Sequence, residues 1–148
     1  MPTVLVLGVG NILLGDEGVG VHVVQALRGR KMPDGVEVCD GGTMGLDLVD
    51  LLEGRRKVIV IDALDADAEP ATVLRFTDED LARRPAADLS LHQVGLFEAL
   101  ALARQLGGAP QDVVIFGIVP KDMSPGLELS AEVAAVVPEV IRMVLAEM

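Results

Sequence analysis

Aromatic side chains are nearly missing from this sequence, which has no Trp, no Tyr and only three Phe in 148 residues. Recognition of single strands by base stacking therefore has no platform. Basic residues are scarce as well, 12 Lys and Arg against 23 Asp and Glu, for a formal net charge of −11. Such a chain has little with which to displace counterions from phosphates, and nucleic acid is excluded as a partner. A basic or cationic partner, or a metal ion, suits the charge better, although solubility alone would also explain it. Cys39 is the only cysteine, so no internal disulfide is expected and a cytoplasmic location is. The first residues lack the basic segment of a signal peptide. No apolar run reaches the ~18 residues of a membrane span.

What is abundant is aliphatic. Half of the chain is hydrophobic, enough to bury a core of Val, Leu, Ile, Ala and Met in one domain covering residues 1–148. Short β-branched runs at Val4–Leu7, Val36–Cys39, Val58–Ile61 and Val113–Val119 read as strands buried on both faces. Helical periodicity appears in Val19–Leu27, Leu46–Leu52, Val94–Leu106 and Val133–Leu145. Thr72–Phe76 is a further strand, reached by too short a connection for a helical crossover and therefore expected antiparallel. Residues 77–90, with four acids and Pro85, read as an exposed loop. The pattern implies an α/β fold of three layers, a twisted, mostly parallel five-stranded sheet with helices on both faces.

The stretch "LGVGNILLGDEGVG" begins like a phosphate loop and departs from it. A dinucleotide fingerprint needs glycine where Leu13 stands, and a P-loop needs Lys-Ser/Thr where Asp16-Glu17 stand. In parallel sheets ligands gather at the carboxyl ends of the strands. Asn11, Asp16 and Glu17 follow the first strand there, Asp40-Gly41-Gly42-Thr43 the second, Asp62 ends the third, and Pro120-Lys121-Asp122 follow the last. Ser90-Leu91-His92-Gln93 forms a capping box that puts His92 in the first turn of a helix at the same edge.

Glu17, Asp62 and His92 thus supply two carboxylates and an imidazole on one rim. Three protein ligands with open positions mark a working metal site rather than a structural one. The donor set suits a borderline divalent cation such as nickel, cobalt or zinc. Each residue also has an ordinary use: Asp16 as N-cap of the first helix, Glu17 as a dipole partner, Asp62 as acceptor for loop amides.

"LVLGVGNILLGDEGVGVHVVQAL", "DGGTMGLDL", "VIVIDAL", "LHQVGL" and "GIVPKDMSPGLELS" resemble, in order and over most of the chain, the hydrogenase maturation endopeptidases. The resemblance implies a five-stranded sheet flanked by helices. It implies removal of the C-terminal extension from the large-subunit precursor of a nickel–iron hydrogenase, cut once nickel is in place. It carries the metal contacts onto Glu17, Asp62 and His92 and associates Asp40 with activity; Cys39 has no counterpart in the family pattern. Nickel then arrives mainly with the precursor, while the free protein, expected to be a monomer, holds a divalent metal weakly. Water is the expected nucleophile, with Asp40 or Asp16 as base. H-E-x-x-H and G-x-S-x-G are both absent.

Two alternatives remain at this level. Cys39 can be read as a nucleophile with His92 or His22 as base, although a thiol at a strand end more often packs and His22 reads as solvated. A receiver-type signalling domain would use Asp62 as phospho-acceptor, with Asp16, Glu17 and Lys121 in support. An eight-residue loop before its acids and the order Pro120-Lys121 speak against that.

Overall fold

The computed structural model describes residues 3–43, 45–83 and 90–148, the side chains of Leu46, Leu81, Ala82, Leu91 and His92 excepted. Chain order is β1 (Val4–Val9), α1 (Val19–Arg28), β2 (Val36–Gly42), α2 (Val49–Leu52), β3 (Lys57–Ala63), β4 (Val73–Thr77), α3 (Asp78–Ala82), α4 (Leu91–Gln105), β5 (Asp112–Ile118) and α5 (Ala131–Glu147). Single 3-10 turns at Gly15–Gly18 and Leu46–Leu48 lead into α1 and α2.

The five strands lie in the order β2-β1-β3-β5-β4. Four run parallel, and β4 is antiparallel to β5, with Val73 opposite Ile118. The expected sheet, including its antiparallel member, is what the chain forms. The order excludes the receiver architecture, in which the last strands continue 3-4-5; here β5 sits beside β3 and β4 closes the edge.

Alternation along the strands separates two cores. Val4, Val6, Ile59, Ile61, Val114 and Phe116 pack under α1 and α5. Leu5, Leu7, Val58, Val60, Val113 and Ile115 face α2 and α4, through Leu48, Val49, Leu52, Leu96, Ala99 and Leu100. By the same parity Asp62 belongs to the α4 side.

Two expectations need correction. Residues 77–90 do not begin as a loop, because α3 follows β4 at once. The Thr77 amide donates to Asp80 Oδ2 and the Asp80 amide to Thr77 Oγ1, a reciprocal cap that starts a helix in an acidic stretch. Residues 84–89, which hold Pro85, lie outside the described residues. Asp16 is not the N-cap of α1 either: that position is Gly18, without a side-chain cap, and Asp16 lies within the preceding turn.

Candidate active site

Chain direction divides between β1 and β3. From β1 the chain crosses through α1 to β2 on one side, then through α2 to β3 on the other, which opens a crevice at the carboxyl ends of the two strands. Glycines let the flanking pieces close on it. A Cβ on Gly20 would collide with the Ile61 carbonyl oxygen and lie 2.7 Å from that of Val9. Helix α1 therefore rests with its first turn against both strand ends. Gly10, at φ 131°, has no room for a methyl: it would strike the Glu17 carbonyl oxygen and lie 3.6 Å from Asp62 Oδ1. The main chain of Glu17 and the Asp62 carboxylate thus lie on either side of one glycine.

Asp62 is 2% exposed, and its Oδ2 accepts from Gln93 Nε2 at 3.2 Å. The same Gln93 amide donates to the Ala63 carbonyl at 3.2 Å. Its Oε1 accepts from the Ser90 backbone amide, and the Gln93 backbone amide donates to Ser90 Oγ. The capping box expected from the sequence is present, and it also ties the start of α4 to Asp62. Sequence reasoning missed this second use. The available signal was the choice of Gln rather than Glu at the third position, since only an amide can donate to a carboxylate. His92 is the second residue of α4; its side chain lies outside the described residues. Among the described residues no three His, Cys, Asp or Glu side chains converge as they would on an ion.

Asp40 stands in register with Gly8 of β1, and Gly8 with Ile61 of β3, one residue short of Asp62. The register shifts between Gly8 and Val9, turning the end of β2. The Asp40 side chain is exposed, and its Oδ1 accepts from the Gly42 amide at 2.8 Å.

Asp16 is wholly buried and turned away from Asp62's neighbours toward residues 121–130. Its Oδ2 accepts from the Lys121 and Asp122 amides at 2.9 Å each and from Ser130 Oγ at 2.8 Å, while Oδ1 accepts from the Ser130 amide at 2.7 Å. Burial alone would push its pKa up, but these four donors prevail and hold it below the usual carboxylate value. Asp16 is built as an anchor. Ser130 is meanwhile the N-cap of α5. Backbone bonds complete the strap: Gly15 N to Gly126 O, Gly126 N to Leu13 O, and Asp16 N to Asp122 O.

Cys39 is half-buried against the α2–α4 core. Burial first, then the nearby Glu37 carboxylate, raises its pKa, the opposite of an activated thiol. His22 is half-buried in α1. Lys121 Nζ lies 2.6 Å from Glu132 Oε2, paired away from Asp62.

Carboxylates at the carboxyl ends of the strands, where the chain direction divides, make this an α/β protein with its candidate ligand edge at the switch point of a doubly covered sheet. Comparison with known proteins goes further. Residues 21–147 match the family model described as hydrogenase maturation protease. The chain is 37% identical over 145 residues to the hydrogenase 2 maturation protease of Escherichia coli, covering 97% of this chain and 88% of that protein. It is 39% identical to the hydrogenase expression/formation protein HupD of Rhizobium leguminosarum, over 95% of this chain and 71% of the relative. The solved structure of the E. coli hydrogenase maturating endopeptidase HybD superposes with a TM-score of 0.89, covering 97% of this chain and 90% of that one. That of the [NiFe] hydrogenase maturation protease HybD from Thermococcus kodakarensis does so at 0.79, with 30% identity over 97% of each chain. The chain belongs to the hydrogenase maturation proteases, and it is an endopeptidase. The receiver reading is thereby set aside on descent as well as on topology. No helix among the described residues is long and apolar enough to cross a membrane.

Proposed function

We propose that this endopeptidase removes the C-terminal extension from the large-subunit precursor of a nickel–iron hydrogenase and uses nickel already mounted in the precursor as its recognition element. The observation that carries the reading is the buried Asp62 carboxylate at the end of β3, which lies across Gly10 from the main chain of Glu17 and is tied to the first turn of α4 by Gln93. Two carboxylates and the imidazole of His92 are the donors that a borderline cation takes. The nickel is part of the substrate, and the protein's ligands complete its coordination. Shared coordination fixes the adjoining peptide beside the acids, so that proximity supplies much of the rate.

Water attacks the scissile carbonyl carbon, and its proton goes to Asp40, the exposed acid of the rim. The same proton passes to the amine as the peptide bond breaks. Asp16, held by four donors with its pKa lowered, suits anchoring better than proton transfer. Without substrate the donor set contains no thiolate and leaves positions to water, so a divalent metal binds the free enzyme weakly and exchanges. A monomer acting in the cytoplasm fits this role.

The test is incubation of chelator-stripped enzyme with nickel-loaded and nickel-free precursor, scored by mass. Cleavage of the loaded form alone is expected. Equal cleavage of both overturns nickel recognition, and cleavage of neither overturns the substrate assignment.

A further inference from the structure

Outside the crevice, exposed large apolar side chains are few among the described residues, and they are not scattered. Of the six, Ile12 (39% exposed), Leu13 (60%), Met123 (46%) and Leu127 (64%) lie on the two loops that are bonded to each other. The parallel bridge between Leu14 and Gly126 sets the loops side by side. Between them runs a groove of about 420 Å³ lined by Gly15, Asp122, Pro125, Leu127, Glu128 and Ser130, among others.

Exposing four such side chains together is unfavourable unless something covers them. The surface is also preformed. The Leu13 amide is held by Asn11 Oδ1 at 2.9 Å, and the strap by the four bonds to Asp16, so an incoming chain meets little ordering cost. Its rim is acidic: Asp122 and Glu128 are exposed at the groove, in a protein of net charge −11. It is continuous with the crevice, because the loop that carries Ile12 and Leu13 runs on through Asp16 to Glu17.

We propose that Ile12, Leu13, Met123 and Leu127 form the docking surface for an extended segment of the protein substrate, one with apolar side chains and at least one Lys or Arg. It determines specificity next to the site of cleavage. The acidic rim selects the basic residue, and the apolar side chains anchor the segment, Leu127 within the groove and Ile12, Leu13 and Met123 on the two loops that flank it. The inference rests on the proteolytic reading above for the identity of the substrate, but the surface is testable apart from it.

The experiment compares the wild type with Leu13→Ser/Leu127→Ser and with a control pair, Leu102→Ser/Leu106→Ser, which removes the other two exposed leucines among the described residues, one on α4 and one at its C-terminal end. Precursor binding is measured by biolayer interferometry and cleavage by steady-state kinetics, after thermal melting shows each variant folded. The groove pair is expected to raise Kd and KM by about tenfold or more with kcat within about twofold, while the control pair changes neither. Raising the salt should weaken wild-type binding. Equal Kd in all three proteins overturns the docking surface, even if cleavage proceeds. Groove-dependent binding without cleavage supports the surface and counts against the proteolytic reading instead. A wild-type dimer that the groove pair alone converts to monomer assigns the surface to self-association and overturns the proposal.

Discussion

Gln93 Nε2 donates to Asp62 Oδ2 at 3.2 Å while Gln93 Oε1 accepts from the Ser90 amide, so one side chain joins the start of α4 to the acid at the end of β3. The arrangement distinguishes Gln from Glu sharply. Gln93→Glu keeps the cap, since either residue serves at that position. It also sets a second carboxylate against a buried one, at a cost of about 3 kcal/mol. Urea unfolding should show that loss at pH 7, and a smaller one at pH 5, where a proton shared by the pair relieves the repulsion. A variant as stable as the wild type at both values would mean that the contact is not made.

Asp16→Asn tests the anchor. Every group that Asp16 meets is a donor, and an amide in its place turns one nitrogen toward backbone N–H groups. The expected destabilisation is about 2–4 kcal/mol. Hydrogen exchange should rise across residues 121–130 more than in the sheet. Since the folded pKa of Asp16 lies below its unfolded value, its contribution is complete above that unfolded value and is lost as the pH falls through the folded one.

At the opposite end of the sheet, Glu147 closes α5. A carboxylate there opposes the helix dipole, yet Arg75 and Lys57 both bond to it, at 2.7 Å and 2.8 Å. The Arg75 hydrogen bond, then Lys57, outweighs burial and lowers the pKa from 4.5 to about 2. The pair contributes on the order of 3 kcal/mol above the unfolded pKa, lost as the pH falls from about 5 toward 2. Glu147→Gln should be less stable at pH 7 by a similar amount and should flatten the acid limb of the stability curve. An unchanged limb would remove Glu147 from it.

Glu17→Gln and His92→Ala should reduce precursor processing by about a hundredfold or more while changing stability by about 1 kcal/mol or less. Cys39→Ala should process at close to the wild-type rate, its thiol being half-buried with a raised pKa. Mass spectrometry of the product, with circular dichroism for folding, checks all three. Loss of turnover in a folded Cys39→Ala protein would restore a thiol mechanism.

Much of this was legible in the sequence because local pattern and tertiary structure agree. Three of the β-branched runs became strands with a few residues added at their ends, the fourth shifted by one to Asp112–Ile118, and Ser90-Leu91-His92-Gln93 capped a helix as its spacing implies. The glycines were legible as a motif but not in their purpose: that Gly20 fits between the Ile61 and Val9 carbonyls depends on β3, some forty residues further on. Asp16 was misread for the same reason. Its nearest donors in sequence suggested a helix cap, whereas its actual donors lie more than a hundred residues away at Lys121, Asp122 and Ser130. The helix at Asp78–Ala82 is masked in the sequence by its acidic composition, and its one local signal is the Thr77–Asp80 spacing that starts it.

The strap between residues 13–16 and 121–130 also has a bearing on when the enzyme comes into being. During synthesis the first loop leaves the ribosome early, but the donors of Asp16 begin to emerge only at Lys121 and are complete only at Ser130. A contact of such long sequence separation forms late. Until then the loop leading to Glu17 lacks its lateral support, and the nascent chain carries its acids without a finished site. A protease that becomes competent only once Lys121, Asp122 and Ser130 have joined Asp16 has little opportunity to cut while those residues are still being made.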